Sequence, residues 1–173
     1  MQFQLDQSIE ILARTPAVLD ALLRGKSEAW LHCRKSPEAF SPVDVLGHLM
    51  LGDETDWLPR ARMILAGHTH TPFEPFDRFD FQSLIAGKSI ESLLDDFATL
   101  RNQSVQTLLS LHITEEQLDL PGTHPEFGPV TLRNLLATWV VHDLNHIQQI
   151  VKTMSNEYRD AVGPWQAYLS ILQ

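Results

Sequence analysis

The sequence predicts an all-α fold, a four-helix bundle with a long crossover connection and a short C-terminal helix. Three observations carry that expectation. Four long stretches repeat apolar side chains at three- and four-residue spacing. Two of them open on clear helix-start residues. No stretch alternates at period two for long enough to build a sheet.

The first helix is expected over residues 4–24, with Leu5, Ile9, Leu12, Leu19, Leu22 and Leu23 as its apolar members and Gly25 closing it. Pro16 lies inside this pattern and kinks the helix or splits it in two. The second starts on Ser41-Pro42-Val43-Asp44, a hydroxyl at N-cap, proline at N1 and a carboxylate at N3. It is expected to run to Ala66, bending at Pro59 and stopping at Gly67. The third runs from Ser89 to Leu111, with Leu93, Leu94, Phe97, Leu100, Val105, Leu108 and Leu109 on its apolar side. The fourth takes Thr131 as N-cap and continues to Met154. A short helix over 165–172 packs across one end of the bundle.

The connections bear on topology. Residues 67–88, rich in phenylalanine and proline, can span about 70 Å if extended. A helix of about 26 residues is only about 39 Å long. The second and third helices can therefore run parallel, joined by a crossover. Residues 112–130 form a second long connection, with one helical turn expected at 114–118.

Composition limits what such a bundle can be. In 173 residues there are 22 Asp and Glu against 13 Lys and Arg, a net charge of −9, with 43% hydrophobic and 20% charged residues. That is the balance of a single globular domain spanning 1–173. A charge of −9 without any Lys/Arg cluster argues against nucleic acid as a partner. The single cysteine excludes a disulfide framework and a cysteine-rich zinc module. No apolar run approaches the roughly 20 residues needed to span a bilayer. The N-terminal stretch lacks the basic start of a signal peptide, so the expected location is cytoplasmic.

Histidine is the unusual component, with eight in the chain. His142 and His146 lie four apart, which on a helix stacks both imidazoles on one face. Leu132, Leu135, Leu136, Trp139, Ile147 and Ile150 define the core-facing arc of the fourth helix. His146 falls inside that arc and His142 at its edge. The spacing suits two ligands of one metal, and it equally suits histidines satisfied within a core. His48 points away from the apolar stripe of the second helix, with Asp44, Gly52 and Thr55 as turn-neighbours. It either borders a cleft or bonds Asp44 or nearby backbone. Asp143 points near the middle of the apolar arc, where a carboxylate needs a partner. That partner is either an imidazole N–H, which the carboxylate would orient, or a group on another helix unrelated to metal. His68 and His70 read as a solvated turn, and His124 as part of a loop able to fold over a site. His32 and His112 carry no signal, and Cys33 reads as a partly buried, inert thiol.

Gly47-His48-Leu49 early in the second helix is one half of a recognisable pattern. The other is Phe127-Gly128-Pro129-Val130-Thr131-Leu132 leading into His142-Asp143-Leu144-Asn145-His146-Ile147-Gln148-Gln149-Ile150. Together they resemble the DinB-like superfamily, and the resemblance extends over nearly the whole chain, including Gly163-Pro164-Trp165. It implies an up-down-down-up bundle with a divalent metal on three histidines, which map here to His48, His142 and His146. It also implies a homodimer. Characterised members include thiol transferases and isomerases that use low-molecular-weight thiols such as bacillithiol or mycothiol. A ferritin-like site is excluded, because no E-x-x-H occurs. A thermolysin-type H-E-x-x-H is absent as well.

The expectation is therefore a divalent-metal protein with zinc or nickel as cofactor and a small molecule, a low-molecular-weight thiol included, as its partner. Three imidazoles leave coordination positions open, the arrangement of a catalytic site. A thiol or water held there would be activated by a lowered pKa. Thiol S-transfer to an electrophile leads, with metal-dependent hydrolysis as the alternative. A non-catalytic, stress-related metal-binding or interaction bundle is the rival of a different class. Ala137, Val141 and Leu144 add a second apolar strip to the fourth helix, which supports the homodimer.

Overall fold

The computed structural model describes residues 2–173. Eight α-helices and one small hairpin follow in chain order. They are α1 (Leu5–Leu12), α2 (Thr15–Leu23), α3 (Glu28–Leu31), α4 (Pro42–Thr55), α5 (Trp57–Leu65), α6 (Gln82–Ile85), α7 (Ile90–Ser110), β1 (Pro121–His124), β2 (Gly128–Thr131) and α8 (Leu132–Asn156). The four arms of the bundle are α1–α2, α4–α5, α7 and α8.

Each arm begins where its capping chemistry places it. Ser41 accepts from the Asp44 N–H while the Asp44 carboxylate accepts from the Ser41 N–H, and Thr131 and Asn134 form the same reciprocal pair ahead of α8. Ser89 accepts from the Ser92 N–H at the start of α7. Prolines divide the other two arms. Pro16 sits in the first turn of α2, so the first arm is split rather than kinked. Pro59, expected to bend one long helix, ends α4 instead. It cannot donate to the carbonyl four residues back, and α4 gives way to α5 across the single residue Asp56, whose backbone stays in the right-handed helical region.

The pairing of side chains along the arms sets their directions. Leu12 and Arg24 on the first arm meet Arg101 and Asp95 on α7, so these two run antiparallel. His48 and Trp57 on the second arm meet His142 and Trp139 on α8, again antiparallel. Leu46 and Leu49 share one apolar cluster with Leu93 and Phe97, Asp53 pairs with Arg101, and Trp57 shares the other cluster with Val105 and Leu108. The second arm and α7 are therefore parallel, and the topology is up-down-down-up. The crossover 66–89 makes that geometry possible, as its length implies.

Further expectations are corrected outside the four arms. A real if minimal sheet exists: β1 and β2 pair antiparallel from Pro121↔Thr131 to His124↔Gly128. Strands of four residues that carry two prolines and two glycines have no period-two signal to read. Their pairing is imposed from outside, by Leu132 N–H on the Leu120 carbonyl and Phe73 N–H on the Thr123 carbonyl. The expected C-terminal helix is a pair of 3-10 turns, Gly163–Tyr168 and Ser170–Leu172. The turn expected at 114–118 is likewise 3-10, over Glu116–Asp119. Among the described residues no helix is long and apolar enough to cross a membrane.

The core divides into two apolar clusters. One gathers Leu12, Trp57, Ile64, Leu108, Leu132 and Trp139, and the other Leu19, Leu23, Leu46, Phe97 and Ile150. Between them lies a polar waist, and the histidines sit at its level.

Candidate metal centre

His48 comes from the second turn of α4, and His142 and His146 from successive turns of α8. The His142 Nε2 lies 3.1 Å from the Nε2 of His48 and 3.1 Å from that of His146. All three ligand atoms fall within 4.8 Å of one another. The His146 Nδ1–H donates to Gln149 Oε1 at 2.7 Å, which leaves its Nε2 lone pair facing the other two rings. The Nδ1 atoms of His48 and His142 are buried without a hydrogen-bond partner among the described residues. The Arg78 main chain approaches His48 without reaching bonding geometry.

This cluster is not self-sufficient. His142 Nε2 carries at most one proton, so it cannot satisfy both neighbours, and buried lone pairs are left facing each other. Protonation does not resolve the conflict. Burial, followed by the neighbouring His146, pulls His48 down to about 4. Burial, then His146 and His48, pulls His142 down to about 3, and burial lowers His146 too. Neutral imidazoles with converging Nε2 atoms fit a divalent cation. Two nitrogens each about 2.1 Å from one ion and about 90–110° apart lie about 3.0–3.4 Å from each other, which matches the spacing of His142 to each of its two neighbours.

A cavity of about 560 Å³ opens beside the cluster, with His48 and His142 in its wall. Its floor is a stripe at steps of four along the second arm: His48, Gly52, Asp56 and Arg60. Its roof is the crossover, through Phe73, Phe76 and Arg78, and the hairpin tip, through His124 and Phe127. Gly52 keeps the floor low, since a Cβ there would lie 3.0 Å from Trp57 Nε1. Burial pushes the Asp56 carboxyl up to about 6 against the pull of Arg60, whose Nη2 lies 2.7 Å away. A second cavity of about 350 Å³, walled by Glu38, Phe40, Arg78, His146 and Gln149, touches the same cluster from the other side of His48.

The sequence-predicted residues sort clearly. His48, His142 and His146 come together, and His124 does reach over the site. Its Nδ1 accepts from the Glu126 and Phe127 N–H groups and so shapes the hairpin turn. His32, His68, His70 and His112 are exposed and apart from it. Burial raises the Cys33 thiol, consistent with an inert group. Asp44 belongs to the cap of α4 and to Arg34, not to His48. Asp143 is the correction. It is fully buried and pairs with Arg101 and Thr15, so it does not orient an imidazole by accepting its N–H. Gln149 plays that part for His146. Arg101 and Asp53 join Asp143 as buried charged residues of the same network. Arg101 falls four residues after Phe97 and seven before Leu108, inside the apolar stripe of α7, and a charge at such a position is the signal that points to it.

Fold and site together define a four-helix bundle of parallel middle arms with three histidines converging between the second and fourth. The chain belongs to the DinB superfamily, whose family model matches residues 11–150. Among solved structures it is similar to YfiT from Bacillus subtilis, described as "a probable metal-dependent hydrolase with an unusual four-helix bundle topology". The TM-score is 0.74 at 22% identity, over 89% of this chain and 87% of that one. It is also similar to TT2238, described as a four-helix bundle protein, with a TM-score of 0.51 at 22% identity over 84% of this chain and 96% of that one. No curated protein sequence matches the chain.

Proposed function

We propose that this protein is a divalent-metal-dependent enzyme for small molecules, of thiol S-transferase type. The observation that carries the reading is the convergence of three neutral imidazole Nε2 atoms at the junction of two cavities. His48, His142 and His146 would hold the ion, zinc or nickel, with coordination positions left over for a ligand. When bound, such an ion lowers the pKa of a coordinated thiol or water into the neutral range.

This chain's own residues shape the remainder. The large cavity, with Phe73, Phe76 and Trp57 in its wall, suits an apolar electrophile. The smaller cavity, with Glu38, Arg78 and Gln149, suits a polar thiol compound. Cys33 lines neither, so the sulfur comes from the small molecule. In the transfer a sulfur–carbon bond forms, the leaving group departs with its bonding electrons, and the thiol proton passes to solvent. Of the two carboxylates that line the large cavity, Asp56 and Glu126, the buried Asp56 on its floor is the one assigned to carry a proton there. Hydrolysis is the second reading, supported by the description of YfiT and needing only one organic partner.

Protein purified without an affinity tag should contain about one divalent ion per chain. His142→Ala and His48→Ala should lose it while remaining folded. Less than about a tenth of an ion per chain, unchanged in His142→Ala, overturns the metal reading. Mass spectra of products from a low-molecular-weight thiol and a chloroalkyl electrophile then separate transfer, which yields a thioether, from hydrolysis, which yields the alcohol. On the outer side of α8, Val141 and Leu144 are 63% and 47% exposed. They support a second copy of the chain docking there, and a monomeric mass by light scattering at micromolar concentration would count against the homodimer.

A further inference from the structure

The polar waist contains one arginine that touches every arm of the bundle. Arg101, on α7, is 1% exposed. Its Nε donates to Asp53 Oδ2 at 2.7 Å and its Nη2 to Asp53 Oδ1 at 2.9 Å, a two-point grip on α4. Its Nη1 and Nη2 reach the two oxygens of Asp143 on α8, the latter at 3.1 Å. Nη1 also donates to the Leu12 carbonyl at 3.1 Å, at the end of α1. Every guanidinium N–H therefore has an acceptor. Thr15 Oγ1, on α2, completes Asp143 at 2.6 Å. Phe97 and Trp139 cover the guanidinium, with ring centroids 5.0 and 5.4 Å from Cζ.

The two carboxylates are the part that matters for the histidines. Asp53 lies five residues after His48 on the same helix, and Asp143 directly follows His142. On a rigid helix, a rotation or slide that moves one of these carboxylates moves the neighbouring imidazole with it. One residue of helix is about 100° of rotation and 1.5 Å of rise. Apolar contacts oppose such movements weakly, because they are non-directional. A two-point guanidinium–carboxylate grip opposes them strongly, because both its angle and its distance are specified. The Nε2 atoms of His48 and His146 have to converge on that of His142 at 3.1 Å, and the stacked Trp57 and Trp139 rings, which also join these two arms at 5.8 Å, specify angle and distance less closely than paired charge-assisted hydrogen bonds do.

We propose that Arg101, Asp53 and Asp143 are positioning residues for the histidine cluster. One guanidinium locks the helix bearing His48 to the helix bearing His142 and His146, and so sets the relative rotation that brings the three imidazoles together. The inference rests on the metal-binding reading of the cluster. It goes beyond that reading by assigning the site's geometry to a buried network that touches none of its ligands. Buried ionic networks contribute little net stability relative to apolar replacements, and directional specificity is their best-attested use.

The test uses cobalt(II) as the probe, added to the full chain after chelation and dialysis. Binding is followed by the visible d–d spectrum and by competition with a chromophoric chelator. Asp143→Asn keeps the guanidinium paired with Asp53 but loosens its hold on α8. The triple variant Asp53→Leu/Arg101→Met/Asp143→Leu replaces the whole network with apolar side chains and is expected to fold. Both should retain wild-type helix content by circular dichroism, lose about 10–100-fold in cobalt affinity, and show an altered d–d spectrum. Leu108→Ala is the control, since it removes a buried side chain from the neighbouring apolar cluster. It should lower the melting temperature and leave both affinity and spectrum unchanged. The proposal is overturned if either network variant, folded, binds cobalt with wild-type affinity and spectrum, or if Leu108→Ala loses affinity to the same degree. A wild-type protein that binds no cobalt overturns the metal reading itself, and the proposal with it.

Discussion

Gly47 is where the crossover meets the helix that carries His48, and enlarging it tests how the roof of the site is held. A Cβ at Gly47 would lie 2.6 Å from Ile85 Cγ2 and 2.8 Å from Phe81 Cδ2. The Ile85 contact is soft, since α6 is a four-residue helix. The Phe81 contact is not, because that ring is buried and set edge-on to Phe40 at 5.2 Å. Overpacking of this kind costs about 1–3 kcal/mol. Replacing glycine by alanine inside a helix returns about 1 kcal/mol. Gly47→Ala should therefore destabilise by about 0–2 kcal/mol, the difference of those two ranges. Gly47→Val adds two more carbons where the first does not fit and recovers less propensity, so about 3 kcal/mol or more is expected. At about 2–4 °C per kcal/mol for a chain of this size, the valine variant should melt about 6–12 °C lower. Differential scanning calorimetry of the two variants beside wild type measures this. Metal content should persist in both, because no triad residue lies on the crossover. A valine variant that costs no more than alanine, or an alanine variant that stabilises by the full ~1 kcal/mol of an unobstructed helical site, would show that Phe81 does not hold its place against Gly47.

Other consequences follow from the same geometry. Gly122→Ala would place a Cβ 2.7 Å from Ile64 Cγ1 and 2.8 Å from Phe73 Cζ, so urea unfolding should show a loss of about 1–3 kcal/mol. The Trp57 ring lies 5.1 Å from that of His142, so cobalt or nickel should quench tryptophan fluorescence. Trp57→Phe should diminish that quench, while Trp165→Phe, at an exposed position, leaves it intact. In the chelated protein, His142 has a folded pKa of about 3 against 6.5 for an unperturbed imidazole. Between those values the unfolded chain binds more protons, so stability falls as pH drops through this window. The difference in urea midpoint between chelated wild type and His142→Ala should accordingly move against wild type from pH 6.5 downward. A pH-independent difference would contradict the burial assigned to this ring.

Much of the fold was legible in the sequence for a local reason. Helix starts are set by short-range hydrogen bonds, and Ser41 with Asp44, Ser89, and Thr131 with Asn134 make theirs within four residues. Arm length and crossover length are arithmetic on residue counts, which is why parallel middle arms were admissible before any contact was known. Elements without a local cause were not readable. The β1–β2 hairpin has prolines and glycines where a strand would carry β-branched residues, and its pairing depends on Phe73 from the crossover.

The candidate site divides along the same line. The spacing of His142 and His146 and the resemblance around them identified all three histidines, because helical periodicity and motif are properties of contiguous residues. The role of Asp143 could not be read that way. From the sequence its carboxylate pointed inward and needed a partner, and an imidazole N–H was as good a candidate as any other group. Only the tertiary structure supplied Arg101 from 42 residues away and Asp53 from a third helix. Periodicity along each helix sets which side chains turn inward. Which of those meet was decided by the docking of helices far apart in the chain, and a guanidinium with one carboxylate on each side is satisfied only once they have docked.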